Sequence, residues 1–138
     1  MRDLPFFLTV EEVLAFHADH IREFGGSDGI RDEGGLDSAV AQARATFEGE
    51  YLHKGVFEMA GAYAFHIAEN QPFLDGNKRT ALNAAIVFLG LNGFDVVDPD
   101  GKLFSAMIGL SSGEWTKQQM AALAYDRGAS LAAPRPLP

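Results

Sequence analysis

A run of charged and polar residues at positions 75–79, Asp-Gly-Asn-Lys-Arg, is the part of the sequence best suited to chemistry. A helix that starts here presents free backbone amides and the positive end of its dipole to an anion, and Lys78 and Arg79 add full positive charge. Gly76 lets the backbone approach a ligand closely, and the side-chain amide of Asn77 can donate a hydrogen bond. The pattern predicts a phosphate-binding loop.

The charge balance of this loop indicates a ligand. Two cations in the first turn of a helix oppose the helix dipole, which indicates that an external anion compensates them. The carboxylate of Asp75 beside such a site can hold Mg²⁺ that bridges phosphate oxygens, so phosphoryl or nucleotidyl transfer follows. In the alternative interpretation, Asp75 only caps the helix, and Lys78 and Arg79 are solvated surface charges. The residues alone leave both interpretations open.

Residues 71–83 resemble the signature of the Fic/Doc (Fido) family, His-Pro-Phe-x-Asp/Glu-Gly-Asn followed by x-Arg. Here they read Gln-Pro-Phe-Leu-Asp-Gly-Asn-Lys-Arg-Thr-Ala-Leu-Asn. Residues 24–27, 29–32 and 88–93 are similar to the death-on-curing (Doc) branch, and the resemblance spans roughly residues 6–125. It implies an all-α fold, a compact helical bundle in which a central helix-loop-helix carries the active loop.

The same resemblance implies a role for each part of the loop. Phe73 would anchor the loop in the core, and Asp75 would bind Mg²⁺. Gly76 with Asn77 would hold the phosphates of the co-substrate ATP, and Arg79 would grip another phosphate.

Two positions resemble Doc rather than the Fic adenylyltransferases. Position 78 is Lys where adenylyltransferases usually have Gly, and position 82 is Leu where they carry a second Arg. Doc-type toxins are kinases that phosphorylate translation elongation factor Tu until an antitoxin neutralises them. The resemblance therefore implies a toxin of a toxin-antitoxin system, with a small Phd-like antitoxin and a protein target as partners. A protein adenylyltransferase and a non-catalytic nucleotide-binding or partner-binding protein are the alternatives.

The first signature position departs from the family, because Gln71 replaces the histidine that takes the proton of the target hydroxyl. Glutamine accepts no proton at neutral pH, and loss of a general base costs about 100-fold to 10,000-fold in rate while binding can persist. Three explanations of Gln71 are open. The chain is a natural pseudoenzyme, or it is a weak enzyme in which Gln71 only positions the hydroxyl, or the substitution was introduced so that a toxic protein could be expressed. The candidate catalytic positions are Gln71, Asp75, Asn77, Lys78 and Arg79.

The four histidines are weak candidates for other roles. His66 lies about one and a half helical turns before Gln71, so we expect a core or hydrogen-bonded residue rather than a substitute base. We expect His17, His20 and His53 to be ordinary surface or interface residues. No pair of histidines has the spacing of a metal site.

Two helices must position the loop. The segment 56–70 is dense in Ala, Met, Phe and Tyr with few charges, which predicts a helix buried on most sides. The segment 77–92 is apolar after its first turn and ends at Gly93, as expected of a helix C-terminus. Between them, Pro72 prevents a straight continuation. The pair forms a predicted core hairpin.

The remaining chain provides supporting elements. Thr9 and Glu12 form a capping-box pattern at the start of a helix near 9–24, which Gly25 ends. The other predicted elements are an exposed loop at 25–35, a helix at 36–47, a loop at 49–55, a strand or extended segment at 94–98, a helix at 100–110, and a last helix from Thr116 to about Tyr125.

Composition narrows the class of protein. With 138 residues and 47% hydrophobic composition, the chain suits one domain, predicted over residues 1–128, followed by a disordered tail at 129–138. The absence of cysteine excludes disulfides and thiolate zinc sites. A net charge of −8 argues against general binding to nucleic acid, and no apolar segment is long enough for a membrane span or a signal peptide. We therefore expect a soluble cytoplasmic protein that binds neither nucleic acid nor membrane.

Regulation is expected to come from a separate protein, because the inhibitory Ser/Thr-x-x-x-Glu-Gly/Asn motif of some Fic proteins has no match in the sequence. An antitoxin helix would dock in a groove lined by exposed aromatics, with Tyr51, Phe57 and Trp115 as candidates. For Trp115, packing of the last helix is the competing interpretation. The 49–55 loop precedes the core hairpin and is a candidate clamp for a target segment.

Overall fold

The computed structural model describes residues 5–130. In that part of the chain, six helices and two short two-stranded sheets form. The helices are α1 (Val10–Phe24), α2 (Glu33–Gln42), α3 (Val56–Asn70), α4 (Asn77–Leu91), α5 (Lys102–Ser112) and α6 (Lys117–Arg127). The strands are β1 (Thr46–Phe47), β2 (Glu50–Tyr51), β3 (Phe94–Val96) and β4 (Gly128–Ser130). The predicted all-α class and the central helix-loop-helix are confirmed.

The centre of the bundle is the pair α3 and α4, and α3 also packs against α2, α5 and α6. Its apolar side chains fill the core, as the composition of the 56–70 segment predicts. Tyr63 is fully buried within it, and its hydroxyl accepts a hydrogen bond from the Leu8 amide at 2.9 Å. Gly61 leaves room for α6, because a Cβ there would lie 2.9 Å from the Lys117 carbonyl oxygen. The central hairpin is therefore rigidly held from several sides.

The capping predictions fall close to the observed helix ends. Thr9 and Glu12 form the complete capping box of α1, and Thr116 begins α6 in the same way with Gln119. Gly25 ends α1 with a φ of 84°. These ends depend on contacts within one turn of the chain, which is why the sequence alone locates them.

The predicted range 36–47 misplaces the second helix. Asp32 caps α2 by accepting from the Gly35 amide at 2.9 Å, so the helix begins at Glu33 despite two glycines in its first turn. It ends at Gln42, because the following residues form the β1–β2 hairpin. Glu48 and Gly49 both have positive φ at its turn, as a two-residue hairpin requires.

The C-terminal half of the described chain contains a second pair of strands. The predicted strand at 94–98 is present as β3, and it pairs antiparallel with β4. Asp98 caps α5, because its two carboxylate oxygens accept from the Leu103 and Phe104 amides at 2.8 and 3.0 Å. Residues 129 and 130, assigned to the predicted tail, belong to β4, and residues 131–138 lie outside the described residues.

Candidate phosphate-binding site

The turn between α3 and α4 has a fixed shape. Gln71 ends α3 in the left-handed region at φ 46°, and Phe73 enters the core with 1% of its surface exposed. The side chain of Asn77 closes the turn: its Oδ1 accepts from the Phe73 amide at 2.9 Å, and its Nδ2 donates to the Phe73 carbonyl at 3.0 Å. Asn77 therefore holds the turn closed through both the oxygen and the nitrogen of its side-chain amide.

Helix α1 supports the loop from below through His17. The imidazole stacks on the Phe73 ring with centroids 3.8 Å apart and an angle of 6° between the rings. Its Nε2–H donates to the Asp75 carbonyl at 2.8 Å, which fixes that nitrogen as the protonated one. His17 is 3% exposed, so the prediction of an ordinary surface or interface residue is wrong. It is a positioning residue of the loop.

The segment before α2 clamps the loop from the other side. Residues Ile30 and Phe73 form an antiparallel bridge, and the Leu74 amide donates to the Gly29 carbonyl at 3.1 Å. Arg31 donates from Nε to the Gln71 carbonyl at 2.8 Å and from its terminal nitrogen to the Asn70 carbonyl at 2.9 Å. A cation at the C-terminal end of α3 is electrostatically favourable. This segment thus fixes the backbone on which Gln71 sits.

A cleft of about 480 Å³ opens above the turn. Its lining residues come from α1, α3, the loop, α4 and α5. They are His20, Phe24, Ala68, Gln71, Leu74, Asp75, Gly76, Asn77, Lys78, Arg79 and Phe104. All six charged, polar or glycine positions singled out from the sequence, Gln71 and 75–79, therefore share one cavity.

The start of α4 makes the cleft electrostatically suited to an anion. Gly76 is the N-cap residue, with φ 80°, and no side chain within the described residues caps the first-turn amides. Lys78 is exposed, and the Arg79 guanidinium lies 3.9 Å from the centroid of the Phe104 ring. Uncapped amides, the helix dipole and two cations all favour a negatively charged group at this point. Phe104 lies on α5, and no pattern in the sequence predicts its contact with Arg79.

Asp75, the one carboxylate among the described residues that line the cleft, is oriented by the α1–α2 connection. Asp75 Oδ2 accepts from the Ser27 amide at 2.7 Å, and the side chain is otherwise exposed. No cluster of three His, Cys, Asp or Glu residues suited to a metal occurs within residues 5–130. Mg²⁺ does not require such a cluster, because one carboxylate with substrate phosphates and water can complete its coordination.

The histidine nearest the start of α4 is His20. His20 is half-buried, lines the cleft and packs against Gly76. Its pKa is lowered by burial, then by the charges of Arg79 and His17, and raised weakly by Glu23.

His66 stays outside the cleft, as expected. Its Nε2 lies 3.4 Å from the Lys117 Nζ. Burial, followed by the Lys117 charge, lowers the pKa of His66 to about 4. The expectation of a core or hydrogen-bonded residue is met, and the side chain has no access to the loop.

The three aromatic residues proposed for antitoxin docking differ in their exposure. Phe57 is 8% exposed and packs edge-on against Phe94, so the prediction of an exposed aromatic is wrong there. Trp115 is half-buried over Gly109 in the core, which supports the packing interpretation. Tyr51 is exposed on the β1–β2 hairpin.

No helix among the described residues is long and apolar enough to cross a membrane.

Helices α3 and α4, the turn between them and its signature place the protein in a known class. The Fic/DOC family model matches residues 7–89, and the chain belongs to this family. It is similar to "Protein kinase doc" of Escherichia phage P1, 34% identical over 107 residues that cover 78% of this chain and 83% of that protein. It is also similar to "Toxin Doc" of Mycolicibacterium smegmatis, 44% identical over 70 residues that cover 51% of this chain and 54% of that protein. Within the family, the chain is thus Doc-like.

Proposed function

We propose that this protein is a Doc-like toxin whose cleft binds ATP with Mg²⁺ and is built to transfer the γ-phosphate to a hydroxyl of a protein target. The uncapped start of α4, with Lys78 and Arg79 beside it, carries the proposal. The similarity to a phage protein named a kinase and to a mycobacterial toxin supports phosphate transfer and toxicity.

The residues of the cleft fit a magnesium nucleotide. The first-turn amides of α4 and Arg79 would bind phosphate oxygens, and the stacking on Phe104 holds the guanidinium in place. Asp75 is held by the Ser27 amide and would contribute one carboxylate to Mg²⁺, which neutralises phosphate charge when bound. Asn77 acts on this site indirectly, by keeping the turn closed around Phe73.

The weak point of the site is Gln71. It is exposed in the cleft, where its amide can hold a hydroxyl by a hydrogen bond but cannot remove the proton. Phosphate binding rests on other residues and would survive. We therefore expect a protein that binds nucleotide normally and transfers phosphate about 100-fold to 10,000-fold more slowly than a histidine-bearing form.

The expected partners follow from the same proposal. The target is a protein hydroxyl, with cytoplasmic elongation factor Tu as the first candidate, and a small Phd-like antitoxin would neutralise the toxin. The exposed Tyr51 and Leu52 of the β1–β2 hairpin region are the candidate target contacts. In the Gln71→His background, replacing both by Ala should reduce target modification without reducing nucleotide binding.

The test uses the purified chain, its Gln71→His variant, and Gln71→His combined with Arg79→Ala. Each is incubated with elongation factor Tu and magnesium ATP, and the intact mass of the target is measured. We expect one added phosphate with Gln71→His, little with the unaltered chain, and none with the double variant. An unmodified target with every variant would refute elongation factor Tu as the substrate.

A second candidate function is favoured by Gln71 itself, namely a non-catalytic protein that binds a nucleotide or partner through the same cleft. It predicts tight nucleotide binding by the unaltered chain and no transfer to any lysate protein after Gln71→His. Restored transfer would exclude it.

A further inference from the structure

His20 occupies a position that the loop signature does not account for. It lies on α1, three residues after His17, and its ring covers Gly76 at the start of α4. A Cβ on Gly76 would lie 2.8 Å from His20 Cδ2 and 3.4 Å from Nε2, so this ring edge faces the N-cap. The ring also packs against Phe24, with the ring centroids 5.1 Å apart. The imidazole thus contacts both Phe24 and Gly76 in the wall of the cleft.

The two ring nitrogens have different surroundings. Nδ1 is buried and has no hydrogen-bond partner among the described residues. Nε2 lies on the edge that faces Gly76 and the cleft. A phosphate oxygen only accepts hydrogen bonds, so an anion near Gly76 selects the ring form with the proton on Nε2.

We propose that His20 is a further anion-contacting residue, whose Nε2–H donates to a phosphate group bound at the start of α4. This inference rests on the proposed nucleotide site and adds a ligand-binding side chain from α1 to it. The titratable groups around the ring are Arg79 on α4 and Asp75 in the loop, which share the cleft, and Glu23 and His17 on α1. Burial and the charges of Arg79 and His17 lower the pKa of His20, which favours a neutral ring beside Arg79.

The test is isothermal titration calorimetry of the full chain with magnesium ATP and with inorganic tripolyphosphate. His20→Phe keeps a ring against Gly76 and Phe24 but removes both nitrogens. His20→Gln restores an amide near the position of Nε2. We expect His20→Phe to weaken both ligands by about tenfold, as for one hydrogen bond to a charged group, and His20→Gln to recover most of that loss.

The matched control is His53→Phe, which makes the same chemical change at a histidine outside the cleft and should leave both affinities unchanged. Equal affinities for the unaltered chain and His20→Phe would overturn the role of His20 while leaving the phosphate site intact. No binding of either ligand by the unaltered chain would overturn both this inference and the proposed nucleotide site. Equal losses in His20→Phe and His20→Gln, with both variants folded, would also contradict the donated hydrogen bond.

Discussion

A methyl group on Gly76 should disturb the phosphate site in a way that the structure makes measurable. The residue has φ 80° and ψ 18°, a conformation that costs an alanine about 1–2 kcal/mol. The new Cβ would also lie 2.8 Å from the His20 ring, and forcing a side chain out of a packed position costs typically about 1–3 kcal/mol more. We therefore expect Gly76→Ala to lower the free energy of unfolding by roughly 2–5 kcal/mol.

Gly101 offers a closely matched control. It is the N-cap residue of α5 with φ 71° and ψ 12°, and a Cβ added there would meet no atom of a packed neighbour within 4 Å. Gly101→Ala thus reports backbone strain alone, and the difference between the two variants reports the contact with His20. Because 1 kcal/mol corresponds to about 3–4 °C in a chain of this size, that difference should lower Tm by a further ~3–12 °C.

The assay is thermal and urea unfolding followed by circular dichroism, on both glycine variants and on Gly76→Ala combined with His20→Ala. In the double variant the clash is removed, so the coupling between the two sites should offset most of the excess loss. Equal destabilisation by Gly76→Ala and Gly101→Ala would refute the close contact between His20 and the N-cap of α4.

Three further predictions concern residues around the loop. His17→Phe keeps a ring against Phe73 but loses the donor to the Asp75 carbonyl. The free energy of unfolding should therefore fall by about 1–2 kcal/mol, and magnesium ATP should bind more weakly. Unchanged values in urea unfolding and calorimetry would contradict the positioning role of His17. Phe104→Leu removes the ring beneath the Arg79 guanidinium and should weaken ATP binding by about three- to fivefold, measured by calorimetry, with an unchanged affinity speaking against that contact. The pKa of His66 is about 4 in the folded state, below its unfolded value of 6.5. The contribution of neutral His66 to stability is therefore complete above pH 6.5 and is lost as the pH falls toward 4. An NMR titration midpoint near 6.5 would show that burial and Lys117 do not lower this pKa.

The parts of the fold that the sequence predicts are those set by neighbouring residues. Thr9 with Glu12 locates the start of α1, and the apolar runs at 56–70 and 77–92 identify the central hairpin. The cleft residues 75–79 are contiguous at a helix start, so their convergence needs no knowledge of the rest of the chain. Local pattern therefore finds both the centre of the bundle and its candidate site.

The missed features depend on contacts between distant segments. His17 stands at helical spacing with the apolar residues of α1, which is a sign of burial, but its hydrogen bond to a loop 58 residues away leaves no local pattern. Phe57 looks like a surface aromatic until β3 and α6 close over it. The start of α2 is missed because Gly34 and Gly35 disfavour a helix, and the cap from Asp32 outweighs them.

The central claim, that this cleft is a phosphate-transferring site disabled by Gln71, is tested most directly with ATP labelled separately at the α- and γ-phosphates. The unaltered chain and its Gln71→His variant are incubated with magnesium and a bacterial lysate, and labelled protein bands are compared. We predict γ-label on a protein band with Gln71→His and little or none with the unaltered chain. Transfer of the α-label would identify an adenylyltransferase instead, and no label with either protein would contradict the transferase account and favour a binding protein.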